Sequence, residues 1–177
     1  RAQAFGMVVS AQSRSMHKET ARALGIKMIE YSREGLLGAI GDADIVSVHV
    51  ALCGDTDKLC GPRFFGAMKP GAMFINTSRG EIVDEVELIS AVKEKGIRVG
   101  LDVYQNQPSS KDCEWKTAVA ELSGVSLTHH CGASTDQAQE AVALEVIRIV
   151  GTVIDEGRTL HVVNKGSLKD EQLTVAL

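Results

Sequence analysis

Arg79 lies in the run Asn76-Thr77-Ser78-Arg79-Gly80, directly after an apolar stretch. A planar guanidinium fixed there can bind a carboxylate through two donors. It can also stabilise a carbonyl oxygen that gains negative charge. The plainer alternative is a helix-capping or surface arginine. His130 lies in Thr128-His129-His130-Cys131-Gly132. An imidazole suits the removal of a hydroxyl proton, because its reference pKa is about 6.5. The His129-His130-Cys131 run also suggests a metal, but three consecutive residues on an extended segment converge poorly on one ion. No metal ligand set is therefore expected.

These residues belong to four segments that each end an apolar run with polar groups. The first is Ala43 to Val50. The second comprises Met68 to Ala72, Ile75 to Gly80 and Val83-Asp84-Glu85. The third is Gly100-Leu101-Asp102-Val103-Tyr104, ending at Gln107-Pro108. The fourth is Leu127 to Thr135. Short β-type runs alternate with helical patterns, which predicts parallel βαβ units and a doubly wound α/β sheet of the Rossmann type. Strands are expected over Met7–Ala11, Lys27–Glu30, Ile45–His49, Ala72–Asn76, Val99–Val103 and Val125–Thr128. Several are continuous apolar runs, the pattern of strands covered on both faces. Helices are expected over Lys18–Leu24, Ser32–Ala39 and Asp84–Lys95, with Lys93 and Lys95 in the last turn of the third. The longest begins near Ser134 or Thr135 and runs to about Ile154, with Val142, Val146, Ile149 and Val153 as its apolar stripe. Ligands of open parallel sheets bind at the carboxyl edge of the strands, where the polar groups of all four segments fall.

The composition narrows the function classes. A net charge of −4 over 177 residues argues against a nucleic-acid or anionic-membrane partner. No apolar run reaches membrane-spanning length, and no secretory leader is visible. The four cysteines, Cys53, Cys60, Cys113 and Cys131, show no C-x-x-C spacing. Reduced thiols and a cytoplasmic location are expected. A dinucleotide fold needs an earlier strand and a G-x-G-x-x-G turn, and that glycine pattern does not occur here. Residues 1–155 are therefore expected to form a dinucleotide-binding domain lacking its first strand and glycine-rich turn. Residues 156–177 are expected to return toward a substrate domain, with Lys165–Leu177 as a tail or short helix.

In order and spacing, from Arg1 to Asn164, the four segments resemble the D-2-hydroxyacid dehydrogenase family. The run Thr128-His129-His130-Cys131-Gly132-Ala133-Ser134-Thr135 with Gln137-Ala138-Gln139 is most similar to its 3-phosphoglycerate branch. Gln107-Pro108, Lys111-Asp112 and Trp115 are similar to its formate branch. The resemblance implies an oxidoreductase that moves hydride between a nicotinamide cofactor and a small D-2-hydroxy acid. It implies Arg79, Gln107 and His130 as catalytic residues. The family usually carries glutamate at the position of Gln107, and glutamine holds the ring without supplying charge. His129, where the family commonly has proline, receives no catalytic role.

For the cofactor, the resemblance implies Asp102 on the nicotinamide carboxamide. His49, Val50, Thr56, Thr77 and Gly132 would line the same ring and its ribose. At the adenosine ribose the family usually has an acid, where this chain reads Ser13-Arg14-Ser15. An arginine there favours a 2′-phosphate, so NAD is expected with NADP as the alternative. The small-molecule substrate stays open between 3-phosphoglycerate and glyoxylate, hydroxypyruvate or formate. A non-catalytic dinucleotide-binding or structural relative is the reading of another class. A homo-oligomer is expected, because the family usually dimerises through this domain.

Overall fold

The computed structural model describes residues 1–108, 110, 113–132 and 134–162. They fall into two compact units, one from Arg1 to His130 and a second beginning at Cys131. The proposed tail, Lys165–Leu177, and the Lys111-Asp112 pair lie outside the described residues.

The first unit opens with a 3-10 turn, Ala2–Phe5, closed by Gly6 at φ 78°. Its elements then run β1 (Ser10–Ala11), α1 (Lys18–Ala23), β2 (Lys27–Met28), α2 (Arg33–Asp42), β3 (Ile45–Val48), α3 (Pro62–Ala67), β4 (Met73–Asn76), α4 (Glu85–Lys95), β5 (Arg98–Leu101) and β6 (Val125–Leu127). The α/β class read from the sequence is the one found. β3, β4, β5 and β6 form a four-stranded parallel sheet in that order, and β1 and β2 form a separate parallel pair. Among the described residues no strand joins the two sheets.

β1 is shorter than the apolar run Met7–Ala11. Hydrogen bonds to β2 begin only where Val9 accepts from Lys27 N, and Val8 is 94% exposed. The α3 helix has no counterpart in the sequence expectations. Its six residues are too few for a periodic pattern, although Gly61-Pro62 and Lys69-Pro70 bracket it as start and stop signals. Lys95 lies in the last turn of α4, as expected. Its ammonium donates to the Phe65, Gly66 and Met68 carbonyls and so closes α3.

The core lies where α3 and α4 meet the sheet. Phe64, Phe65 and Phe74 pack edge to face, with centroids 5.1–5.8 Å apart. Leu88, Ile97 and Val99 extend the same cluster. Coverage of both faces holds only in part within this unit. β4 alternates half-buried Met73 and Ile75 with buried Phe74 and Asn76. Met73 and Ile75 line an open groove of about 320 Å³ with Gly100 and Val125.

The strand ends lie in register. Val48, Asn76, Leu101 and Leu127 form one cross-sheet row. The next residues, His49, Thr77, Asp102 and Thr128, therefore begin four neighbouring loops. At about 4.8 Å per strand the row spans about 14 Å.

In the second unit α5 (Asp136–Glu156) starts at Thr135, whose hydroxyl accepts from Ala138 N, and ends at Gly157 with φ 62°. Of the expected stripe, Val142 and Val146 are exposed, while Ile149 and Val153 are half-buried. No described helix is long and apolar enough to cross a membrane.

Candidate active site

The loop after β4 is shaped by Asn76, which is 0% exposed and uses both ends of its amide. Its Nδ2 donates to Arg79 O at 2.8 Å and its Oδ1 accepts from Ser78 N at 3.0 Å. The Ser78 hydroxyl donates to Val48 O at the end of β3. These bonds fold Thr77 to Arg79 into a fixed turn. The Arg79 guanidinium lies exposed, anchored through Nη1 on Ser78 O at 2.7 Å.

Gly80 sets the next spacing. A Cβ built there would lie 1.9 Å from Tyr104 O and 2.5 Å from Gln105 N. Only glycine lets the Arg79 turn approach the loop after β5 so closely. Tyr104 is 8% exposed, and its hydroxyl donates to Leu101 O and Thr128 O. Its ring meets Trp115 edge to face at 5.2 Å. The tyrosine thereby ties the loop after β5 to the end of β6.

Gln107 and His130 meet on that scaffold, with Gln107 Nε2 2.8 Å from His130 Nδ1. Gln107 Oε1 accepts from Tyr104 N at 3.3 Å. A backbone N–H can only donate, so the amide must turn its NH2 toward the ring. His130 Nδ1 then accepts, and the neutral ring carries its hydrogen on Nε2. Asn106 and His130 both take positive φ, 57° and 58°. For a histidine this conformation is uncommon and strained, the kind of backbone that clusters at working sites.

Asp102, 7% exposed, follows β5 directly. Its backbone N–H donates to Asn76 O, and its Oδ1 accepts from the Thr128 hydroxyl. In the loop after β3, His49 Nε2 lies 2.9 Å from Ser47 Oγ. The Thr56 hydroxyl folds that loop by donating to Ala51 O at 2.7 Å and accepting from Cys53 N at 2.8 Å. Thr56, with the backbone of Asp55, holds the exposed Cys53 thiol below its usual range. Burial pushes the Cys60 thiol up to about 12.

His49, Thr56, Thr77, Arg79, Asp102, Gln107 and His130 thus stand in the four loops of one sheet edge, with Val50 exposed beside His49. Ser13 and the exposed Arg14 follow β1, where Ser13 Oγ accepts from Met16 N. Gly132 belongs to the second unit. The sequence reading gave no role to Asn76, Gly80, Glu85 or Thr128. The Asn-Thr-Ser-Arg-Gly run was the signal for the first two. Among the described residues no cluster of three or more His, Cys, Asp or Glu could hold a metal.

Comparison with known proteins identifies the family of the chain. The family "D-isomer specific 2-hydroxyacid dehydrogenase, NAD binding domain" matches residues 1–132. D-3-phosphoglycerate dehydrogenase 2, chloroplastic, of Arabidopsis thaliana is 34% identical over 98% of this chain and 27% of its own length. Glyoxylate reductase of Thermococcus litoralis is 35% identical over 81% of this chain and 40% of its own. The chain thus spans 27% to 40% of the length of these two curated relatives. The apo crystal structure of Rhodotorula graminis D-mandelate dehydrogenase superposes with a TM-score of 0.73 at 27% identity, covering 85% of this chain and 42% of that one. With its parallel sheet, its row of loop-borne polar groups and three quarters of its length matched, the chain belongs to the D-isomer specific 2-hydroxyacid dehydrogenases and carries their NAD binding domain.

Proposed function

We propose that this protein oxidises D-3-phosphoglycerate to 3-phosphohydroxypyruvate with NAD. The observation that carries the reading is the Gln107–His130 pair, held at 2.8 Å on the same sheet edge as Arg79. Similarity to phosphoglycerate dehydrogenases supports the substrate choice. The edge also fits the cofactor chemically. A buried carboxylate at Asp102 and the polar groups of His49, Thr56 and Thr77 suit a carboxamide and a ribose. Val50 would complete the lining, and Ser13 and Arg14 would take the adenosine end. When bound, NAD+ accepts the hydride that leaves the hydroxyl-bearing carbon. Arg79 binds the substrate carboxylate and steadies the carbonyl oxygen that forms. His130 takes the hydroxyl proton at Nε2, which requires the Gln107 amide to turn Oε1 toward Nδ1–H. A cytoplasmic homo-oligomer belongs to this reading as well, and exposed Leu144, Ile147 and Ile154 on α5 suit a covered surface.

The test is turnover of the full-length protein with 3-phosphoglycerate, glycerate, lactate and formate, and in reverse with glyoxylate and hydroxypyruvate. Fastest reaction with glyoxylate would favour the second reading, which the 35% identity to a glyoxylate reductase supports. No turnover of any would favour a non-catalytic relative.

Two further outcomes bear on the residues. Gln107→Glu supplies a carboxylate to Nδ1–H and favours the imidazolium, a shift of about 1–3 pH units upward in the controlling step. Reduction, which needs the charged ring, should then persist to higher pH, and oxidation should need higher pH. An unmoved profile in both directions, with chemistry limiting, would separate residue 107 from His130. If Arg14 meets a 2′-phosphate, Arg14→Ala should weaken NADPH binding by about 1.5–3 kcal/mol and leave NADH unchanged. Equal Kd values for both cofactors before and after the change would make Arg14 a surface residue only.

The thiols report on the loop after β3. A maleimide should label Cys53 rapidly at pH 7–8, because its thiolate is favoured, while buried Cys60 resists until unfolding. Saturating NADH should slow labelling of Cys53. A rate indifferent to the cofactor, followed by peptide mass, would remove that loop from the binding site.

A further inference from the structure

Glu85 opens α4 and has no part in the chemistry proposed above, yet its carboxylate holds two separate stretches of chain. Oε1 accepts from Gln105 N at 2.7 Å, two residues before Gln107. Oε2 accepts from the Thr117 hydroxyl at 3.4 Å, and Thr117 is 8% exposed. Gln105 N–H belongs to the same peptide plane as Tyr104 C=O, which lies against Gly80. With that plane fixed by Glu85 and the tyrosine hydroxyl fixed at β6, the Tyr104 N–H meets Gln107 Oε1. Only then is the amide compelled to present NH2 to His130 Nδ1.

We propose that Glu85 is a positioning residue that sets the hydrogen-bonding sense of the Gln107–His130 pair, acting through the backbone of Tyr104 and Gln105. The proposal rests on His130 as the acid/base group, and it extends the site to the start of α4. A carboxylate is well placed for this task, because a charge-assisted bond to a backbone N–H is stronger than a neutral one. At the first position of a helix it is also favoured by the helix dipole.

The experiment uses the full-length protein and two readouts. The first is the 15N signals of the His130 ring, which report whether Nδ1 accepts or carries a hydrogen. Wild type should show Nδ1 as acceptor. Gln107→Ala should lose that bias, and Glu85→Ala should lose it to the same extent. The double variant should add nothing, because both changes cut the same path. Glu85→Gln keeps an acceptor for Gln105 N–H and should restore most of the wild-type signal. The second readout is kinetic: oxidation needs the amide in the opposite sense, so Glu85→Ala should raise kcat of oxidation a few-fold, with KM for NAD unchanged. Wild-type ring signals in Glu85→Ala, or in Gln107→Ala, would overturn the proposal, as would fully additive effects in the double variant. Failure of the acid/base reading is distinguished by a His130 variant that turns over normally, since the ring signals do not depend on turnover.

Discussion

Gly80→Ala should lower kcat/KM by about a hundredfold and destabilise the fold by about 3 kcal/mol. The added Cβ would fall 1.9 Å from Tyr104 O and 2.0 Å from Tyr104 C, both backbone atoms that no rotamer change can withdraw. The Arg79 turn and the Tyr104–Gln107 loop must then separate by more than an ångström. That displacement would break the juxtaposition of guanidinium and imidazole, and a misplacement of that size is costly in a positioned reaction. Gly38→Ala in α2 is the control, since nothing lies within 4 Å of its added Cβ. Alanine there should be neutral or stabilise by up to about 1 kcal/mol. Steady-state kinetics and thermal unfolding of both variants decide the matter. Wild-type kcat/KM in Gly80→Ala would show that this contact does not set the spacing.

The other large effect is expected at His130. Removal of a positioned acid/base group costs about 10²–10⁴ in rate. Alanine is a blunt replacement, because residue 130 sits at φ 58° and alanine dislikes that region. His130→Asn is cleaner. Asparagine tolerates the left-handed backbone and keeps a polar head, but it cannot take up a proton. It should lower kcat strongly and leave cofactor binding intact. Arg79→Ala should differ in kind, raising KM as well as lowering kcat, since it removes both substrate positioning and charge stabilisation. A kcat in His130→Asn within a few-fold of wild type would exclude the histidine from proton transfer.

Capping chemistry made two helices legible with little error. Asp84 accepts from Val86 N at the start of α4, and Thr135 accepts from Ala138 N at the start of α5. Gly96 and Gly157 end them with positive φ. These signals are local, so a sequence displays them directly. The contacts that shape the site are not local. Gly80 meets Tyr104, Glu85 meets Gln105, and Gln107 meets His130 across separations that no periodicity records. Arg79, Gln107 and His130 could be named because their neighbours resemble a family. Glu85 and Thr128 stood in the same quoted runs and went without a role, since nothing in their own neighbourhood reveals what they touch. Lys95 teaches a related lesson. Its place in the last turn of α4 was legible, but nothing local reveals that its ammonium donates to three carbonyls at the end of α3.

The cross-sheet row of Val48, Asn76, Leu101 and Leu127 separates what can vary from what cannot. A residue inserted beyond the row lengthens one loop and reshapes one wall of the cleft, while the ladders below keep their pairing. A residue inserted within a strand slips its register by one and turns every side chain of that strand to the opposite face. Evolution of a new specificity on this sheet is thus channelled into loop tips, provided the cross-loop contacts of Ser78, Gly80, Tyr104 and Gln107 are kept. A library confined to the exposed positions 50–55, 77 and 129 would explore chemistry at little risk to folding, with Gly80 and buried Tyr104 left alone.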